Sequence, residues 1–229
     1  MRAKVFFLFE ILVIATVFHL DYLGLLPVSK TPYLFLLGWI SLRLRRLRWK
    51  DVGLRFGAEP NWPLTKIFFL GVAVGIGMEA LELFATQPLL TKLLHQGADL
   101  HELERLVGNT QLLILGIVLA WILAAFGEET VWRGYLLNRG VDLFGRSKSG
   151  WTASAIIISA AFGLAHFPQG PTGVIENIID GAILVAVYFA TNRSLLAPII
   201  AHGIQDTIDV VLIYLGWYPG FSQSIGLPA

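Results

Sequence analysis

Seven apolar stretches constrain what this chain can fold into more than any other feature. They run over residues 5–26, 31–44, 64–86, 111–138, 152–167, 173–191 and 194–215. A membrane span needs roughly 20 mostly apolar residues, and inside lipid every backbone polar group has to be satisfied within the helix. The pattern therefore predicts an all-α polytopic transmembrane bundle, one integral-membrane domain over residues 1–229. About seven helices span. An eighth would move the C-terminus to the other side of the membrane. The second stretch is short enough to be re-entrant, and the fourth continues as a helix to about Phe144. Composition agrees, with 55% hydrophobic and 14% charged residues, against about a quarter charged in soluble domains. The absence of cysteine removes disulfides, thiolate metal ligands and a cysteine nucleophile. The basic start turns apolar and stays so to Leu26 with no small-residue cleavage site, which reads as a retained signal-anchor helix.

Charge sets the orientation. With the N-terminus in the cytoplasm, only Lys30, Lys92 and Arg105 of the 17 lysines and arginines fall outside. That is the asymmetry of the positive-inside rule. The basic segment Leu42–Arg55 is read as a cytoplasmic loop touching anionic lipid. Nothing else supports a nucleic-acid partner. In the third stretch Gly71, Gly75 and Gly77 predict a close helix contact. Glu79 and Glu82 stand at i, i+3 there, either lining a cavity or bonding to neighbouring helices. Residues 87–110 mix apolar and charged residues at helical spacing and read as a surface-lying amphipathic helix. His95 and His101 within it read as solvated.

The fourth stretch ends in FGEETVWR, Phe126–Arg133. Acids at membrane depth are expensive and mark function by default. Glu129 and Arg133 stand at i, i+4 and can pair, while Glu128 is turned about 100° away and left free. The bland alternative is a salt-bridged helix that merely crosses the bundle. Further on, His166 closes Phe162-Gly163-Leu164-Ala165-His166. His202 and Asp206 share a helical face at i, i+4. A lone buried histidine is usually structural; two histidines and several acids inside spans call for a joint explanation. Glutamate and histidine can polarise a water and take its proton. Imidazole and carboxylate can also bind zinc with a water in the open position. Both routes lead to hydrolysis. His-Glu-x-x-His, Gly-x-Gly-Asp and Gly-x-Ser-x-Gly are all absent.

Glu128-Glu129…Arg133, Phe162…His166 and His202…Asp206, in that order, resemble the CPBP intramembrane protease family. This family comprises the CAAX prenyl endopeptidases and the Abi-like bacteriocin-processing or immunity proteins. The resemblance covers a protease core of about residues 111–216. It implies a helical bundle with a conical polar cavity, a water activated by Glu128 and His166, and an oxyanion held by His202 and the residue four further on. That residue is Asp206 rather than asparagine, and an ionised carboxylate cannot donate to an oxyanion. Asp206 is then protonated, orients His202, or binds metal. Glu129 and Arg133 are expected to support the fold.

The family also implies a membrane-associated protein or peptide substrate, prenylated or carrying a leader, in a multi-pass protein of a prokaryotic cell membrane. No cofactor is fixed by the motifs; zinc at His166 and His202 is the metal option. Two other classes use similar residues. A proton- or ion-coupled transporter would show inverted repeats or paired broken helices, and none is present. A non-catalytic scaffold would survive loss of Glu128. The expectation is that Glu128, His166 and His202 share one water-accessible cavity. Simple counting, however, puts His166 in the outer half of its helix and His202 in the inner half of its own, about a turn out of register.

Overall fold

The computed structural model describes residues 2–58 and 61–219, and among these the chain is helical with no strand. Seven helices make the bundle: α1 Arg2–Tyr22, α2 Thr31–Leu44, α3 Leu64–Leu94, α4 Thr110–Phe144, α5 Lys148–Leu164, α6 Gly170–Ala190 and α7 Leu196–Leu215. Short 3₁₀ turns lie at Trp49–Val52, His101–Leu106 and Phe167–Gln169. Among the described residues four helices, α3, α4, α6 and α7, are long and apolar enough to cross a membrane. α2 and α5, with 14 and 17 residues, are shorter than a straight crossing needs. The expected seven helices are therefore present, whereas seven spans are more than length and composition support.

α4 runs through the centre. Its residues from Thr130 to Leu136 are all buried. Val131, Trp132 and Tyr135 pack against Leu34 of α2 and Phe162 of α5. Ala125 and Leu137 pack against Val185 and Tyr188 of α6 and Ile199 of α7. Large apolar side chains such as Phe68, Phe69, Phe84, Ile114 and Ile156 stay exposed around the belt. That is the surface of a bundle whose solvent is hydrocarbon. α3 packs along α7 through two of its three glycines. A Cβ on Gly75 would come within 2.4 Å of the Ala201 carbonyl, and one on Gly71 within 2.7 Å of Ile200. Gly77 faces open space, so it has no part in the contact.

Two local features depart from the sequence reading. α4 is π-helical over Ala120–Glu128 and Thr130–Leu136, around the motif itself. Such widened turns gather at functional sites and leave no mark in apolar periodicity. Secondly, residues 87–110 are not one surface helix. Gln87–Leu94 continues α3 beyond a π-helical turn at Glu82–Thr86. Pro88 lacks the N–H that a regular helix needs, and the widened turn before it accommodates that loss. His95 then takes a left-handed conformation, φ 57°, and ends the helix. Only the 3₁₀ turn His101–Leu106 follows.

The helix ends gather at two poles. At one, the Asp99 amide donates to the Gln169 carbonyl at 2.8 Å, Gly108 to Tyr214 at 2.9 Å, and Thr172 to the Gln96 carbonyl at 2.7 Å. At the other pole Arg45 pairs with Asp142, Arg55 donates to the Asn192 carbonyl at 3.0 Å, and Arg193 lies 4.8 Å over Trp151. Near this basic pole Glu10 of α1 is 1% exposed and accepts from Ser41, Arg139 and, at 2.9 Å, Tyr135. Nothing in the sequence reading singles Glu10 out, because its partners lie 31 to 129 residues away.

Candidate active site

Glu128, His166, His202 and Asp206 all line one cavity of about 680 Å³. It lies toward the pole opposite the basic one, where Leu100, Leu103 and Leu106 of the segment joining α3 to α4 also line it. Glu128 is half-buried, with the Thr31 hydroxyl 3.5 Å from its Oε1. Glu129 points the other way and is fully buried. Its Oε1 accepts from Arg133 Nη1 at 2.6 Å and from His202 Nδ1 at 2.9 Å. Arg133 is 1% exposed, donates also to the Gly181 carbonyl at 3.2 Å, and lies 4.4 Å over the Phe162 ring. The pairing expected of Glu129 and Arg133 is present. The contact to His202 is an addition that i, i+4 spacing does not reveal.

The hydrogen bonds fix both histidines. A carbonyl only accepts, so the His166 Nδ1, 2.9 Å from the Phe162 carbonyl, carries a proton. Its Nε2 is then left for the cavity. His202 Nδ1 faces the ion-paired Glu129 carboxylate and donates to it, which turns Nε2 toward Asp206 Oδ1 at 3.5 Å. That separation makes Asp206 a flanking charge for His202 rather than a tight hydrogen-bond partner. Phe162 stands edge-on to both rings, 4.9 Å from His166 and 6.2 Å from His202. The expected register mismatch does not keep the histidines apart, since both flank Phe162. α5 stops at Leu164, and His166 sits in the turn beyond it, not on a continuing helix.

Small residues beside the motif acids and histidines let the helices close up. A Cβ on Gly127 would meet Thr31 at 2.7 Å, and one on Gly203 would meet the Trp121 ring at 2.8 Å. Bulk at either position would push α2 or α7 away from α4, and with it Thr31 or His202 away from the glutamates. The Trp121 indole locks the second contact, donating to Thr207 at 3.0 Å. Sequence reasoning missed Gly127, Gly203 and Trp121. Their only signal is adjacency to the motif residues.

Zinc does not fit the residues present. Among the described residues no three of His, Cys, Asp and Glu are placed together as metal ligands. His166 and His202 bond protein acceptors through Nδ1, so each has only Nε2 to offer, which makes two histidine ligands at most. A site needs at least three protein ligands to hold a catalytic zinc.

No curated protein and no solved structure gives a match to the chain. A family model does. Residues 110–208, a little under half of the chain, match the model described as Type II CAAX prenyl endopeptidase Rce1-like, a protease family. That segment holds Glu128, Glu129, Arg133, His166, His202 and Asp206, so the match falls on the three motifs and agrees with the CAAX-type protease family that they resemble.

Proposed function

We propose that this protein is an intramembrane endopeptidase that hydrolyses a peptide bond of a membrane-associated substrate with a water activated by Glu128 and His166. The observation that carries the reading is the convergence of Glu128, His166, His202 and Asp206 on one cavity from three separate helical regions. In the proposed step the water donates one hydrogen bond to the free His166 Nε2 and gives its other proton to the Glu128 carboxylate. The hydroxide oxygen bonds to the scissile carbonyl carbon. Glu128 then passes the proton to the leaving amine as the C–N bond breaks. His202, when protonated, donates from Nε2 to the developing oxyanion. Glu129 and Asp206 flank it with negative charge, and Glu129 with Arg133 holds the ring in place. Asp206 thus steadies His202 instead of donating to the oxyanion itself. No step runs through a metal.

The decisive experiment compares intact chain and Glu128→Gln for processing of membrane proteins in cells. A substrate that accumulates only with the variant names activity and target together; identical membrane proteomes refute the reading. A transporter or a scaffold has no observation of its own in its favour.

All seven helices are proposed to cross the membrane within one domain, with the basic pole in the cytoplasm. The cavity lies toward the opposite pole, so the substrate enters from the non-cytoplasmic side. Because the natural chain has no cysteine, a single cysteine at the exposed Leu103 provides a clean test. A membrane-impermeant maleimide should label it in intact cells. Labelling only after lysis would invert the orientation.

A further inference from the structure

The cavity has a second wall that the hydrolytic step does not use. Glu82 of α3, Glu176 and Asp180 of α6, and Asp209 of α7 line it. Among the described residues none of these four acids makes an ion pair. Arg133 bonds Glu129 and the Gly181 carbonyl and reaches Asp180 only through space. Among the described lining residues Arg105 is the one lysine or arginine, exposed on the 3₁₀ turn at the mouth.

Neutral donors serve part of the wall. The Gln205 amide donates to Glu82 Oε2 and to Asp180 Oδ2, each at 3.1 Å, and the Tyr218 hydroxyl donates to Glu82 Oε1. Burial pushes the Tyr218 phenol up, which keeps it a neutral donor. Glu176 and Asp209 each keep a buried oxygen with no hydrogen-bond partner, Oε1 and Oδ1; both line the cavity, and Glu176 is 5% exposed. A buried carboxylate oxygen with no partner is costly and calls for a missing one. Carboxylates crowded in low dielectric repel one another, and either protons or a cation relieve them. A metal ion would need converging ligands, and no such group exists among the described residues. An ammonium or guanidinium needs only two or three acceptors at the end of an apolar stem. Leu184, Val210 and Ile213 line the same cavity and can flank such a stem.

We propose that this wall is a specificity subsite for a cationic side chain, lysine or arginine, of the substrate peptide, with Glu176 and Asp180 determining the preference. The proposal rests on the endopeptidase reading for its identification of the ligand as a peptide.

Binding to the purified full-length chain in detergent tests it separately from cleavage. The probes are pairs of fluorescent amphipathic peptides, identical except for lysine or norleucine at one position, which is moved along the peptide from pair to pair. Charge-assisted hydrogen bonds predict that at one position the lysine peptide binds about tenfold more tightly or better. Glu176→Gln and Asp180→Asn, each monodisperse, should shrink that gap to about threefold or less. Arginine in place of lysine should bind comparably. If no pair differs on the intact chain, the proposal is overturned, whether or not the variants fold. A gap unchanged in both variants overturns it too. So does stabilisation of the protein by calcium alone through Glu176 with no lysine preference. A lysine peptide that binds selectively but is never cut keeps the subsite and sinks the endopeptidase reading. Peptides cut without regard to lysine sink the subsite alone.

Discussion

The two poles of the bundle treat charge in opposite ways. At the basic pole charges meet partners: Arg45 and Arg146 share Asp142, and Glu10 collects Arg139, Tyr135 and Ser41. In the cavity toward the other pole, acids face open space, and Glu176 has an oxygen with no partner at all. Glu129 and Arg133 lie between, buried and paired with each other. Paired charges stabilise a fold and are unavailable for anything else. Unpaired buried ones destabilise it, and they persist where a ligand or a reaction uses them. Position in the bundle, rather than residue type, separates the two.

Four substitutions break or sharpen this contrast, in falling order of effect. Glu128→Gln keeps shape but removes the base, so proteolysis should fall by about 10²–10⁴-fold. Its thermal unfolding in detergent should stay close to that of the intact chain, since Glu128 has no ion pair to lose. A folded variant with undiminished cleavage would move the chemistry elsewhere. Arg133→Ala should lower stability by about 3–5 kcal/mol, because Glu129 stays buried with half its partners gone. Denaturant or thermal unfolding reads this directly, and an unshifted midpoint would deny the pair its structural role. Glu176→Gln should cost no stability and should gain about 1 kcal/mol, since a buried group without a partner sheds its charge. Marked destabilisation would show that Glu176 belongs with the satisfied pole after all. Arg45→Gln should cost about 1 kcal/mol or less, the usual worth of a pair open to water. A larger loss would mean that the Arg45–Asp142 contact is shielded as Glu129–Arg133 is.

Much of this was legible from the chain alone. The bounds of α2 were readable because apolar residues run from Thr31 until Arg43 and Arg45 interrupt them, and the motif residues because acids and imidazoles inside apolar runs need a reason. The pairing of Glu129 with Arg133 followed from spacing. Glycine spacing on α3 pointed to the contact with α7 but could not say that Gly77 faces away from it.

What the sequence determined by itself was therefore local: apolar length, charge asymmetry, and residues within a turn of each other. The bond from His202 to Glu129 spans 73 residues, and the Glu10 network spans up to 129. No periodicity encodes such partners, because they are chosen by which helices touch. The π-helical course of α4 and the break at Leu164 are likewise tertiary. The first leaves apolar patterning unchanged, and the second places His166 off the helix that its spacing implied. Only the folded bundle decided that Glu128 faces a cavity while its neighbour Glu129 is sealed in. On a helix adjacent residues point in different directions, and what lies in each direction is set by other parts of the chain.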